Sequence, residues 1–176
     1  LGDFGPLNND ASELPPVFRH GVLLDVPAAL GLDRLGKSQP VGRKELQAAC
    51  KAQGIKLASG DLVFVRTGTM RDWPDPEKMA LSDGSGLSLD GARWLVDQGI
   101  TAFAGDNAAL EVAPSGIRGD PQPVHRFLIH EKGLLVIEWV NPEELARDRV
   151  YDFLFVCLPL PVTGATGSMV RPLAIV

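Results

Sequence analysis

The stretch PVHRFLIHEKGLLVIEWVNPEEL, from Pro123 to Leu145, decides the fold of this chain. Its pattern predicts a short helix from about Pro123 to Lys132, a reversal at Gly133 and then a strand. Glycine at that point suits the left-handed conformation that commonly follows a last helical turn. The unbroken apolar run from Leu134 to Ile137 is typical of a strand covered on both faces, and the run ends at Glu138.

The lengths of these two elements predict that His125 and Glu138 lie side by side. A helix of about eight residues climbs roughly 12 Å at 1.5 Å per residue. A strand of about four to five residues returns roughly 13–17 Å at 3.3 Å per residue. An imidazole and a carboxylate that meet in this way are suitable ligands for Zn²⁺ or Mn²⁺. The dipole at the helix N-terminus is expected to disfavour a protonated ring, and a metal ligand must be neutral.

A structural interpretation of the same two residues stays open. Glu138 can be the first solvent-facing residue after a core strand, and His125 can be an ordinary surface histidine. A closed metal site normally needs three or four ligands. The metal interpretation therefore requires further ligands from elsewhere.

Length, charge and cysteine content narrow the class of protein. The 176 residues fit a single domain, 1–176, with a substantial core. A net charge of −5 and no basic patch argue against nucleic acid as a partner. No apolar run approaches the roughly 18 residues of a membrane span. Cys50 and Cys157 lie in apolar surroundings, which favours buried thiols in a reducing, cytoplasmic compartment.

Strands alternate with helices along the chain, and this order predicts an α/β fold with a mixed sheet flanked by helices. A helix is also expected to begin at Asn141-Pro142. The predicted strands are Gly21–Val26, Leu62–Arg66, Ile100–Ala104, Val150–Leu158 and Leu173–Val176, and the predicted helices are Arg43–Gln53 and the segment between Ser88 and Gly99.

Loops that follow strand ends supply the next candidates, because such loops often line the pocket of an open sheet. Thr67 follows the second strand and Asp106 follows the third, so both are candidate substrate-binding residues. A turn cap is the other interpretation of Asp106. The segment HGVLLDVP, with His20 and Asp25, is rejected as a metal motif because core-type residues separate the two. The sequence contains no GxSxG, P-loop or GxGxxG motif.

Several segments, in this order and spacing, resemble the cyclase family that includes bacterial kynurenine formamidase and isatin hydrolase. The resemblance covers nearly everything from Gly21 to Val176. The matching segments are GVLLDV at Gly21, GDLVFVRTG at Gly60, GLSLDGARWLVDQGITAFAGD at Gly86, PVHRFLIHEKG at Pro123 with the glutamate of VIEWV, and VYDFLFVCLPLPVTGATGSMVRPLAIV at Val150.

The resemblance implies a swivelling β/α/β fold and hydrolysis of amide bonds in small aryl or cyclic substrates with one or two metals, usually Zn²⁺ or Mn²⁺. It places His125 and Glu138 at the family's downstream metal ligands. It places Ser168 in a loop that lines the substrate pocket. Members usually assemble as dimers or tetramers, so a homo-oligomer is expected. Substrate specificity is expected to lie in loops such as 71–86 and 108–120.

One departure from the family is large. The signature HxGTHxDxPxH, which supplies further metal ligands and a histidine that acts as base, does not occur in this sequence. The chain begins at Leu1 rather than Met, which favours a fragment over a degenerate member. The catalytic base is then expected in the missing segment. The function expected of the intact protein is metal-dependent hydrolysis of an aryl or cyclic amide, and the alternative is a non-catalytic binding or assembly module that kept the fold.

Overall fold

A six-stranded mixed sheet forms the centre of the computed structural model, which describes residues 10–79 and 84–176. The strand order is β6-β5-β3-β1-β7-β8, and a separate parallel pair joins β2 to β4. Strands β1, β3, β5 and β6 run parallel, while β7 and β8 are antiparallel to their neighbours. The strands are β1 Val17–Asp25, β2 Pro40–Val41, β3 Leu62–Arg66, β4 Gly86–Leu87, β5 Ala102–Gly105, β6 Leu135–Ile137, β7 Asp152–Cys157 and β8 Leu173–Ile175.

Helices connect the parallel strands and cover the sheet. The α-helices are α1 Val26–Ala29, α2 Arg43–Gln53, α3 Leu89–Asp97, α4 Pro123–His125 and α5 Glu143–Asp148, and 3₁₀ turns occur at Ala11–Glu13 and Thr69–Asp72. A π-helical segment, Arg126–Glu131, continues α4 directly. None of the helices formed by residues 10–79 and 84–176 has the length and apolarity that crossing a bilayer requires.

Alternate residues of the central strands point into two different cores. Val22 and Leu24 belong to the core under α2 and α3, whereas Leu23 belongs to the core on the opposite face of the sheet. Strand β3 divides in the same way, with Val63 on one side and Phe64 on the other. Because side chains alternate across a strand, a strand buried on both faces reads as continuous apolar sequence. The α/β fold with a mixed sheet, predicted from such runs, is confirmed.

Close packing of α3 depends on one glycine. A Cβ atom on Gly91 would lie 2.5 Å from the carbonyl oxygen of Val41 in β2. The amide N–H of Gly91 also donates to Ser88 Oγ, which makes Ser88 the N-cap of α3. The small residue therefore allows the first turn of α3 to lie directly on the β2–β4 pair.

Strands β1 and β6 both differ from the elements that the sequence predicts. Strand β1 begins at Val17, four residues before the predicted Gly21, because its first residues pair with β7. Strand β6 was expected to be fully covered, but it lies at the edge of the sheet and its residues are only half-buried. Leu134 and Val136 contact one core while Leu135 and Ile137 contact the other, so both faces are covered in part.

In the predicted specificity loop 71–86, residues 80–83 lie outside the described part of the chain.

The parallel strands bring four charged side chains to the edge of the sheet at which their carboxyl ends meet. Asp25 ends β1 and Arg66 ends β3, while Asp106 follows β5 and Glu138 follows β6. In open α/β sheets, ligands bind outside these carboxyl ends. The search for a functional site therefore begins at this edge.

Candidate functional site

His125 lies at the junction of α4 and the π-helical segment, and both of its ring nitrogens face carboxylates. Nδ1 is 2.6 Å from Glu111 Oε1, and Nε2 is 3.0 Å from Glu138 Oε1. The ring is about a quarter exposed, whereas the Glu111 side chain is buried. The structure thus confirms that the chain doubles back and brings His125 beside Glu138. π-helical turns occur frequently at functional sites.

The chain after β6 is held against the end of β5, and this holds Glu138 in place. The amide of Trp139 donates to the carbonyl of Asn107 at 3.2 Å, and that of Val140 donates to the carbonyl of Gly105 at 3.1 Å. Gly133 adopts φ +65° and its amide donates to the carbonyl of Ile129, as the predicted cap requires. The helix, the reversal and the strand therefore form the unit that the sequence predicted.

Glu111 is a member of the site that the sequence analysis missed. It was assigned only to the loop 108–120, yet its carboxylate accepts from the amides of Val124 and His125, each at 3.1 Å, as well as contacting the ring. The available signal was a lone acid between Leu110 and Val112, both of which are buried. A carboxylate between two core residues needs partners, because burying it without hydrogen bonds is costly.

The two carboxylates change the protonation of His125. Two hydrogen bonds raise the pKa of His125 to about 9. The bond to Glu111 has the larger effect and the bond to Glu138 the smaller, while burial of the ring acts in the opposite direction. The expectation that the helix dipole would keep the ring neutral is therefore wrong for the metal-free protein, because two close carboxylates outweigh one helix end. A metal would have to displace the proton from Nε2.

Nε2 of His125 and the Glu138 carboxylate lie close enough together to become two ligands of one ion. In a tetrahedral site, donor atoms that each lie about 2.0–2.2 Å from Zn²⁺ are about 3.3–3.6 Å apart. The observed separation of 3.0 Å is that of a hydrogen bond, so a small outward shift of either side chain would admit the ion. Within residues 10–79 and 84–176, no group of three or more His, Cys, Asp or Glu side chains is arranged to hold a metal ion. This part of the chain therefore offers two donors.

The predicted substrate residues Thr67 and Asp106 contact each other. Asp106 is fully buried and accepts from the amide and hydroxyl of Thr67 at 2.8 and 2.7 Å, and from the amides of Gly68 and Thr69 at 2.8 and 3.0 Å. Burial raises the pKa of Asp106, and the hydrogen bonds from Thr67 and Gly68 oppose that rise. The observed contacts fix the turn after β3, and a substrate role for either residue stays a prediction.

Ser168 lies in the C-terminal loop, away from the contacts that the other predicted residues make. Its hydroxyl accepts from the amide of Leu160 at 2.7 Å and donates to the carbonyl of Met169 at 3.1 Å. Both partners belong to the same loop, so the hydroxyl organises that loop. Its predicted place in a substrate pocket is likewise still a prediction.

A cavity of about 690 Å³ lies beside Glu111, while His125 and Glu138 are not among its lining residues. Glu111, Asn107, Thr69 and Trp139 are among its lining residues. Asn107 donates to the carbonyl of Ser85 at 2.8 Å, but its buried Oδ1 has no hydrogen-bond partner among the described residues. Buried acceptors of this kind are normally met by water or a ligand.

A buried ion network occupies the same edge of the sheet, at the ends of β1 and β3. Arg66 donates to Asp25 Oδ1 at 2.8 Å and to both carboxylate oxygens of Glu143 at 2.8 and 2.9 Å. Burial opposes its charge, but the bonds to Glu143 and Asp25 raise the pKa of Arg66 above its usual value. His20 contacts Asp61 instead, so the two polar residues of HGVLLDVP have different partners, in line with the rejection of that motif.

Comparison with solved structures gives the relationships of the fold. A crystal structure of a novel cyclase matches with a TM-score of 0.77 and 31% identity, covering 89% of this chain and 53% of that one. Isatin hydrolase A from Ralstonia solanacearum matches with a TM-score of 0.75 and 17% identity, covering 93% of this chain and 62% of that one. A predicted metal-dependent hydrolase from Bacillus stearothermophilus matches with a TM-score of 0.61 and 18% identity, covering 95% of this chain and 64% of that one.

Two of these matches show similarity of fold alone, because their identities are below 25%. The chain spans about half to two thirds of the length of these relatives. No curated protein matches its sequence. The family model described as Putative cyclase matches residues 1–112, a range that includes Glu111 and ends before His125. With most of its length matched by that model, and with a cyclase of known structure as a relative, the chain belongs to this cyclase family.

Proposed function

We propose that the protein is a metal-dependent hydrolase of small aryl or cyclic amides and that His125 and Glu138 are two of its metal ligands. The 3.0 Å separation of Nε2 and Oε1 is the observation that carries the proposal. Further ligands would have to come from outside the described residues, which contain no third donor in a suitable place. The names of two relatives, an isatin hydrolase and a predicted metal-dependent hydrolase, support the chemistry.

A bound divalent ion, Zn²⁺ or Mn²⁺, would polarise the carbonyl of the substrate and lower the pKa of a water molecule. The residues of this chain orient the donors, because Glu111 holds the ring and the β5 end holds Glu138. The cavity of about 690 Å³ beside Glu111 has the size of a small-molecule pocket. We place the substrate there, within one domain formed by residues 1–176. Thr67, Asp106 and Ser168 are not among the lining residues of this cavity, so their proposed substrate role would need another part of the site.

Metal content and amide hydrolysis of the full-length protein, measured on the same preparations, test this proposal. N-formylkynurenine and isatin are suitable substrates, with His125→Ala and Glu138→Gln as variants. Each variant is expected to lose bound metal and activity together. His130→Ala is the matched control, because His130 is an exposed histidine on the same helical segment. Metal-free protein without activity on either substrate would favour the alternative, a non-catalytic binding or assembly module.

The proposal includes a homo-oligomer in a reducing, cytoplasmic compartment. Strands β1, β7 and β8 expose apolar side chains on one face, including Phe18, Leu154 and Ile175 at 59, 43 and 52%. We infer that a second copy of the chain covers this face. Light scattering should give a dimer or tetramer for the native protein and a smaller species for Leu154→Lys. Cys50 and Cys157, which are free thiols, support the compartment.

A further inference from the structure

Glu111 makes two kinds of contact that meet at His125. Oε2 accepts from the amide of Val124, and Oε1 accepts from both the amide and the ring Nδ1 of His125. The carboxylate therefore fixes the backbone at the start of the helix and the orientation of the ring at the same time. Its side chain is only 2% exposed, so water competes little for these bonds.

The position of Glu111 itself is fixed by backbone packing. A Cβ atom on Gly86 would lie 2.5 Å from the carbonyl carbon of Glu111, so β4 approaches that residue as closely as a glycine permits. Leu87 forms an isolated bridge with Glu111, and the amide of Val112 donates to the carbonyl of Leu87 at 3.1 Å. A carboxylate held on such a rigid element can orient another side chain accurately.

The two ring contacts differ, and the difference indicates which nitrogen is the better ligand for a cation. Both ring nitrogens face carboxylates, so both carry protons while the ring is charged. The contact of Nδ1 with Glu111 is shorter, at 2.6 Å against 3.0 Å for Nε2 with Glu138, and Glu111 is the more buried of the two acids. The proton on Nδ1 is therefore held better, and the proton on Nε2 is the one that a metal would replace. Histidines that bind metals commonly donate their other N–H to a carboxylate or a carbonyl, and loss of that partner typically weakens metal binding about 10- to 100-fold.

We propose that Glu111 is a positioning residue that holds His125 in the Nδ1–H form and presents Nε2, together with Glu138, to a divalent cation. This inference rests on the proposed function. Glu111 is not itself a ligand in this arrangement, because its carboxylate faces the opposite nitrogen of the ring and accepts from two backbone amides.

Zn²⁺ titration of the chain, followed through the histidine ring nitrogens by ¹H–¹⁵N NMR, tests the inference. Glu111→Gln keeps an acceptor for the helix amides but removes the charge. It should weaken Zn²⁺ binding about 10- to 100-fold and lower the fraction of the neutral ring in the Nδ1–H form. Glu143→Gln is the matched control, since Glu143 contacts Arg66 and should leave both measurements unchanged.

The outcomes separate the two claims. Zn²⁺ binding that is lost in His125→Ala but unchanged in Glu111→Gln, with the same ring tautomer, would overturn the positioning role alone. Zn²⁺ binding that does not depend on His125 would overturn the proposed metal site, and the positioning role would fall with it. A loss of stability in Glu111→Gln with unchanged Zn²⁺ affinity would show that the residue only caps the helix.

Discussion

At the scale of single residues, the same edge of the sheet contains two cations that each lie between two carboxylates. Arg66 lies between Asp25 and Glu143, and His125 lies between Glu111 and Glu138. The guanidinium keeps its charge at any ordinary pH, whereas the imidazole can lose its proton. The arginine network is therefore suited to a structural role, whereas the histidine is suited to the metal site that we propose.

Removal of the arginine charge should be strongly destabilising. Arg66→Met would leave Asp25, which is buried, and Glu143 without their cation, and breaking a buried pair in this way typically costs about 3–5 kcal/mol. The free energy of unfolding in urea measures this loss. Arg147→Met removes an exposed ion pair with Asp148 and should leave the free energy of unfolding nearly unchanged. Equal losses in the two variants would contradict a structural role for the buried network.

The protonation of His125 predicts a pH dependence for the metal-free protein. Its pKa is about 9 in the folded chain, above the value of about 6.5 expected in the unfolded chain. The stabilisation is therefore fully present below about pH 6.5 and disappears as the pH rises through about 9. With a chelator present, urea unfolding should show a larger destabilisation by His125→Gln at pH 6 than at pH 9.5. The reverse order would contradict the two-carboxylate account.

At the scale of elements, the packing of α3 on β2 predicts that Gly91→Ala destabilises the protein, whereas helix propensity alone would predict the opposite. Gly91→Ala adds a Cβ atom 2.5 Å from the carbonyl oxygen of Val41. Alanine favours a helix over glycine by up to about 1 kcal/mol, but overpacking of about 1–3 kcal/mol should outweigh that gain. Thermal unfolding should show a lower melting temperature for this variant.

A second glycine provides the control for that measurement. A Cβ atom on Gly167 would meet no atom of residues 10–79 and 84–176 within 4 Å, so Gly167→Ala should leave the melting temperature nearly unchanged. A Gly91→Ala variant as stable as the wild type would show that α3 can move away from the β2–β4 pair without loss.

The sequence predicted those elements whose signals are local. Helix α2 has the predicted bounds, with Gly54 in the left-handed conformation after it, and β3 is the predicted apolar run. The π-helical turn after His125 was not predicted, because its apolar pattern is that of any short helix. The half-burial of β6 depends on its place at the sheet edge, which only the strand order reveals.

The sequence likewise predicted only the local part of the candidate site. His125 and Glu138 are joined by a continuous helix and strand, so their lengths sufficed to predict proximity. Glu111 approaches the ring through the packing of β4 and a loop, and no periodic pattern in the sequence carries that information. The contacts of Asp106 with the turn after β3 are equally non-local.

At the scale of the whole molecule, two cores share one sheet, and this predicts cooperative unfolding. Each central strand contributes side chains to both cores, so neither core can be lost without breaking the other. Urea unfolding followed by tryptophan fluorescence and by far-ultraviolet circular dichroism should give the same midpoint. Two separate midpoints would contradict the single domain that we propose for residues 1–176.

The 28-residue segment that contains Glu111, His125 and Glu138 has an evolutionary consequence. Between the first two, the residues from Pro114 to Gln122 run largely on the surface, anchored by Val112 on β4 at one end and by the helix start at the other. Surface loops tolerate insertions, since doubling a loop costs only about 0.6 kcal/mol of closure entropy. That loop could therefore lengthen in descendants of this gene while the contacts among Glu111, His125 and Glu138 stay intact.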